Sequence, residues 1–215
     1  MDQTRMNPHR RAMPVQARSA ATVEMILATA RTLLAERGLP SFNTNAVARA
    51  AKVNVATLYH YFPHKNAILR ELFDRDERER SAYVESRLED LATTDDLAGV
   101  IHDVAATLHR VRGEQSAGPA LRRACRAVPE LMDAEEAVNA AVGERLAAAL
   151  ARRFPRLGPV RLGSAGRIMV EVTGALLDVA GFQPGAGEGV VAELEPVLRG
   201  YMAELAAAND ALAAD

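Results

Sequence analysis

The sequence holds a single cysteine, Cys125, so it has neither a disulfide framework nor a cysteine-built zinc site. Tryptophan is absent, and only nine aromatic side chains are spread over 215 residues. Lysine is nearly missing: Lys52 and Lys65 are the only two among 26 basic residues. No apolar run is long enough to span a bilayer or to serve as an export signal. The best stretch near the N-terminus, Met25 to Leu34, is short and interrupted by Arg31. Together these absences exclude a secreted disulfide scaffold and a membrane protein, and they point to the cytoplasm. What is present is 49% hydrophobic and only 25% charged, enough to bury a core and too apolar for a disordered chain.

A net charge of −2 conceals an uneven distribution. Residues 1 to 65 carry nine basic groups against three acids, a balance of +6, whereas the remainder carries 17 against 25, a balance of −8. One end therefore suits a polyanion that the other end would repel.

The spacing predicts an all-α protein of about nine helices, because no segment shows the alternating β-branched pattern of a strand. Residues 1 to 17, with Pro8, Pro14 and several arginines, read as a flexible basic arm. An amphipathic helix over 18–37 buries Val23, Ile26, Leu27, Ala30, Leu33 and Leu34, and Gly38 stops it. Asn43 or Thr44 caps a second, short helix, and Asn54 caps a third over 55–62, broken by Pro63. A fourth begins near 64–66, and the charged run Asp74 to Arg80 within it reads as a solvated face. Longer helices follow to the C-terminus, with linkers near 113–119, 155–158 and 181–188.

Three of the nine aromatics fall within four residues, in Thr57-Leu58-Tyr59-His60-Tyr61-Phe62. If Leu58 and Phe62 point inward, Val55, Ala56, Tyr59 and His60 lie on the exposed side of a helix too short to bury every face. Two short helices joined by a tight turn, in the basic third of a chain, form a helix-turn-helix whose second helix enters a DNA major groove.

At these residues the sequence resembles the TetR/AcrR family of ligand-responsive transcriptional regulators. The resemblance rests on Leu33-Leu34-Ala35-Glu36-Arg37-Gly38, Thr44-Asn45-Ala46-Val47-Ala48 and Thr57 through Lys65. It implies an N-terminal helix-turn-helix DNA-binding domain over 18–65 and a ligand-binding and dimerisation domain over 66–215. By that resemblance Thr44 binds a phosphate and Asn45 reaches a base edge. Val55, Ala56 and Thr57 lie nearest the bases, Tyr59 and His60 make flanking contacts, and Tyr61 and Lys65 hold phosphates. The chain departs from the family pattern at Lys52 and Ala56, where glycine is common, and at Asn54, which replaces serine but keeps N-cap chemistry. Lys52 meets a cost if the turn needs a positive φ.

The resemblance further implies a homodimer through the last two helices and a pocket among the fifth to eighth. Its expected lining includes Ile101, Val104, Leu108, Met132, Val142, Met169 and Val172, with His102, His109, Cys125, Asn139, Glu171 and Thr173 as polar candidates. Mostly aliphatic walls favour a small hydrophobic effector. No enzyme, cofactor or metal is expected: nothing orients Cys125 with His102 or His109, the glycines at 185–189 lack a following Lys-Ser/Thr, and His102, Asp103 and Glu114 lack ligand spacing. The leading expectation is a repressor that releases a near-palindromic double-stranded operator when that effector binds. The alternative is a helical small-molecule binder or enzyme that no longer touches DNA.

Overall fold

The computed structural model describes residues 15–114, 118–182 and 187–213. Among these residues it holds nine helices and no strand. None of the helices is long and apolar enough to cross a membrane. Residues 1–14, with Arg10 and Arg11 of the expected arm, lie outside the described residues, as do 183–186 of the glycine-rich connector. Val15 to Ala17, expected in the arm, are already helical.

Helix α1 (Val15–Ser41) kinks at Gly38, whose φ of 67° lies in the left-handed region that a side chain disfavours. The next three starts are fixed by side-chain caps. Asn43 accepts from the Ala46 amide at 2.9 Å to begin α2 (Thr44–Ala50), and Asn54 accepts from the Ala56 amide at 2.8 Å to begin α3 (Val55–Tyr61). His64 accepts at Nδ1 from the Ala67 amide at 3.1 Å to begin α4 (Lys65–Thr93). The turn between α2 and α3 holds Lys52 at φ 54°, so the lysine occupies a conformation that costs about 1 kcal/mol for a residue with a Cβ.

The rest comprises α5 (Leu97–Glu114), α6 (Gly118–Ala127), α7 (Pro129–Arg153), α8 (Pro159–Phe182) and α9 (Gly187–Ala211). Two apolar cores result. The first joins α1, α2, α3 and the front of α4, through Leu34, Leu58, Leu69 and Phe73, to α6 and the start of α7, through Leu121, Cys125 and Leu131. The second lies among the rear of α4 and helices α5, α7, α8 and α9, around Leu150, Leu177, Leu194 and Met202. Helices α7 and α8 cross where Gly143 meets Gly166: a Cβ on Gly166 would fall 2.2 Å from the Gly143 carbonyl oxygen.

The charged run on α4 is not the solvated face that its composition suggests. Asp76 and Glu77 are buried. Asp76 accepts from Arg31 of α1 at 2.5 and 3.1 Å, and Glu77 is gripped by Arg80, whose Nε donates at 2.6 Å, and by Arg122 of α6. Four-residue spacing predicts Glu71/Arg75, Asp74/Arg78 and Asp76/Arg80 pairs here; the first forms at 2.8 Å, whereas Asp74 accepts from Arg70, Arg78 reaches Glu71 and Arg80 holds Glu77.

Candidate nucleic-acid interface and interior cavity

Helix α3 divides into two faces. Leu58 and Phe62 are buried in the first core, while Val55, Ala56, Thr57, Tyr59 and His60 are exposed, Tyr59 at 47%. The division follows from length, since two turns cannot wrap every side chain in core. Two hydroxyl contacts brace this face. Tyr59 and Thr44 share a hydrogen bond of 3.1 Å across α2 and α3, and Tyr61, half-buried, shares one of 2.8 Å with Ser19 of α1. The His60 and Tyr61 rings meet edge to face at 5.1 Å. Asn45 is exposed beside Thr44 at the start of α2, and Thr44 itself is buried up to its hydroxyl bond.

Lys65 is exposed at the first position of α4, and Lys52 is exposed in the turn. Among the described residues neither makes an ion pair, nor do Arg37 and Arg49. By contrast, Arg31 and Arg75 at the junction with the body are held by Asp76 and Glu24. Four cations without a described acidic partner thus stand on the helix-turn-helix and its flanks, where a phosphate backbone would neutralise them, while in the body exposed Arg156 is also without one.

The second core borders a half-open cavity of about 90 Å³, walled by α4, α5, α7, α8 and α9. Of the expected lining, Ile101, Val104, Leu108, Val142, Met169 and Thr173 border it. The other named residues stand elsewhere. His102 is exposed and bonds Glu195 of α9 at 2.8 Å, an interaction that holds the imidazole above its ordinary pKa and the carboxyl below its own. Met132 is exposed, His109 is half-buried away from the lining, and Val172 packs on the core without bordering the space. Asn139 accepts from Arg80 at 3.3 Å and donates to Glu171 at 3.4 Å, one layer outside. Cys125 is buried in the first core, where burial pushes its thiol up to about 12 and leaves it unreactive.

Sequence reasoning missed the wall supplied by α4: Arg80, Val84, Arg87, Leu88 and Leu91. Val84, Leu88 and Leu91 recur at helical spacing, a signal hidden by the charged residues around them. Arg80 gives the wall a link to the head of the molecule. It lines the cavity and holds Glu77, which also holds Arg122, whose guanidinium lies 5.9 Å over the Phe73 ring of the first core. Burial would raise the Glu77 pKa, but Arg80 and Arg122 outweigh it and hold the carboxyl below its usual range.

A helix-turn-helix head on a helical body with an interior cavity defines a bacterial regulator class, and comparison with known proteins agrees. Residues 26–72 match the bacterial regulatory proteins of the tetR family, and residues 96–202 match the tetracyclin repressor-like C-terminal domain. The chain belongs to the TetR family. Over 70 residues it is 37% identical to the HTH-type transcriptional regulator EthR of Mycobacterium tuberculosis, a stretch covering 33% of this chain and 32% of EthR. The match therefore spans about a third of that relative's length. In fold it is similar to a TetR-family transcriptional regulator from Streptomyces coelicolor, with a TM-score of 0.61 at 22% identity over 86% of this chain and 99% of the other. It is likewise similar to SmeT in a complex with triclosan, with a TM-score of 0.64 at 19% identity over 86% and 91%.

Proposed function

We propose that this chain is a DNA-binding transcriptional repressor that works as a homodimer and leaves a palindromic operator when a small apolar molecule fills the cavity. The observation that carries this reading is the division of α3, which buries Leu58 and Phe62 and turns Tyr59 and His60 outward near exposed Lys65, which pairs with no carboxylate among the described residues. Two such heads related by a two-fold axis would place their recognition helices in successive major grooves. Exposed Ile168 and Val179 on α8 and Val197 on α9 supply apolar surface for pairing these helices with those of a second copy. The cavity and the ligand-bound fold neighbour SmeT support the effector. An effector acts only if it binds two arrangements of the dimer unequally, and the Arg80–Glu77–Arg122 chain offers a path from the cavity to the first core.

The test is a salt titration of operator binding, the operator being found by selecting bound fragments from the source genome. Affinity should fall steeply with salt, and Lys65→Ala should weaken all sequences alike while flattening the slope by about one charge. Tyr59→Ala or His60→Ala should instead change the preference among sequences. Binding no stronger than that of a generic acidic protein at low salt would hand the chain to the non-DNA-binding alternative.

A further inference from the structure

The lining of the cavity narrows the chemistry of its occupant, an inference that rests on the ligand reading above. None of the described lining residues is aromatic, although Tyr83 and Phe154 are available in the same core. The walls are aliphatic chains and a methionine, which adapt to a flexible hydrocarbon but offer a planar ring no face to stack on.

Two arginines border the space, and neither brings uncompensated charge. Arg80 is held by Glu77, which also holds Arg122, itself paired with Glu135. Arg87 lies between Asp90 and Asp103, each at 3.0 Å. In this neighbourhood four carboxylates face three guanidinium groups, so a ligand anion would add to an existing excess of negative charge. One donor is nevertheless left over: Arg87 Nε is buried and has no hydrogen-bond partner among the described residues, while the outer nitrogens of the same guanidinium face the surface aspartates. A buried donor without an acceptor is costly, and a neutral oxygen brought in with a ligand would relieve it. Thr173 adds a hydroxyl to the same lining.

We propose that the cavity takes a neutral aliphatic molecule bearing a hydrogen-bond acceptor, an ester or ketone of a saturated chain, with its oxygen seated against Arg87 and Thr173. Free carboxylates and planar aromatics of similar size are disfavoured.

Calorimetry of the full-length chain near pH 8 with four short probes tests this: methyl pentanoate, pentanoate, pentane and methyl benzoate. Methyl pentanoate should bind, and each of the others should be weaker by about tenfold or more. Arg87→Met, which keeps an apolar stem and removes the donor, should bring methyl pentanoate down to the level of pentane and leave pentane unchanged. Thr173→Val gives a second reading should Arg87→Met fail to fold. The proposal is overturned if pentanoate or methyl benzoate matches methyl pentanoate, if both variants keep the preference for the ester over pentane, or if no probe binds. A parallel DNA titration separates the two readings. Ester bound with DNA still held would sink operator release and leave the ligand class standing, whereas DNA bound with no ester affinity would sink the ligand class alone.

Discussion

The head and the body of this molecule handle charge in opposite ways. In the head, Lys52, Lys65, Arg37 and Arg49 have no acidic partner among the described residues, and helix starts are set by the local caps Asn43, Asn54 and His64. In the body, arginines such as Arg80, Arg122, Arg152 and Arg167 are consumed by carboxylates of the same chain, and long helices are set by distant packing. A cation already satisfied internally has little to offer a polyanion, so the separation assigns external recognition to one end and internal cohesion to the other.

Removing an internal partner should hurt most. Arg122→Met removes the partner of Glu135 and leaves buried Glu77 to Arg80 alone, and should cost about 3 kcal/mol in denaturant unfolding. A loss near zero would mean that these pairs are as dispensable as surface ones, and the contrast between head and body would weaken. Next, Gly166→Ala should cost about 1–3 kcal/mol, because its methyl meets the Gly143 carbonyl. Gly163→Ala, on the same helix with open space around it, should gain about 0.5–1 kcal/mol. In the head, Lys52→Gly should stabilise the fold by about 1 kcal/mol by relieving a positive φ, while weakening DNA binding through lost charge. Stability and affinity moving together there would show that Lys52 serves the fold.

The smallest effect belongs to the exposed His102–Glu195 pair. The folded state raises the imidazole pKa, so its contribution to stability is complete below the ordinary histidine value and is lost as pH rises through the raised one. Melting curves from about pH 6 to pH 9 should show a slightly steeper decline for the parent chain than for His102→Gln.

The head was legible in the sequence because its signals are local. Asn54, Leu58, Phe62 and Pro63 announce a capped, half-buried and terminated helix within ten residues, and Gly38 by itself marks where the regular stretch of α1 ends. The body was not, since its decisive contacts join residues far apart. Arg31, the partner of Asp76, and Arg122, which joins Arg80 on Glu77, each lie 45 residues away, and no window centred on the charged run contains them. For the same reason Cys125 was expected at the cavity: only the assembled chain shows α6 folded back against α1 in the first core. The strain at Lys52 was foreseeable as a departure from glycine, but its sign of φ required the turn itself.

That return of α6 also bears on modularity. Leu121, Ala124 and Leu131 seal the underside of the head although they follow its end by about a quarter of the chain, and α4 runs unbroken through both cores. A graft that exchanged the first seventy or so residues for those of another regulator would inherit a lid shaped for a different neighbour. Shuffling of reading heads among such bodies must therefore carry a matching patch from the middle of the gene, or accept a leaky seam.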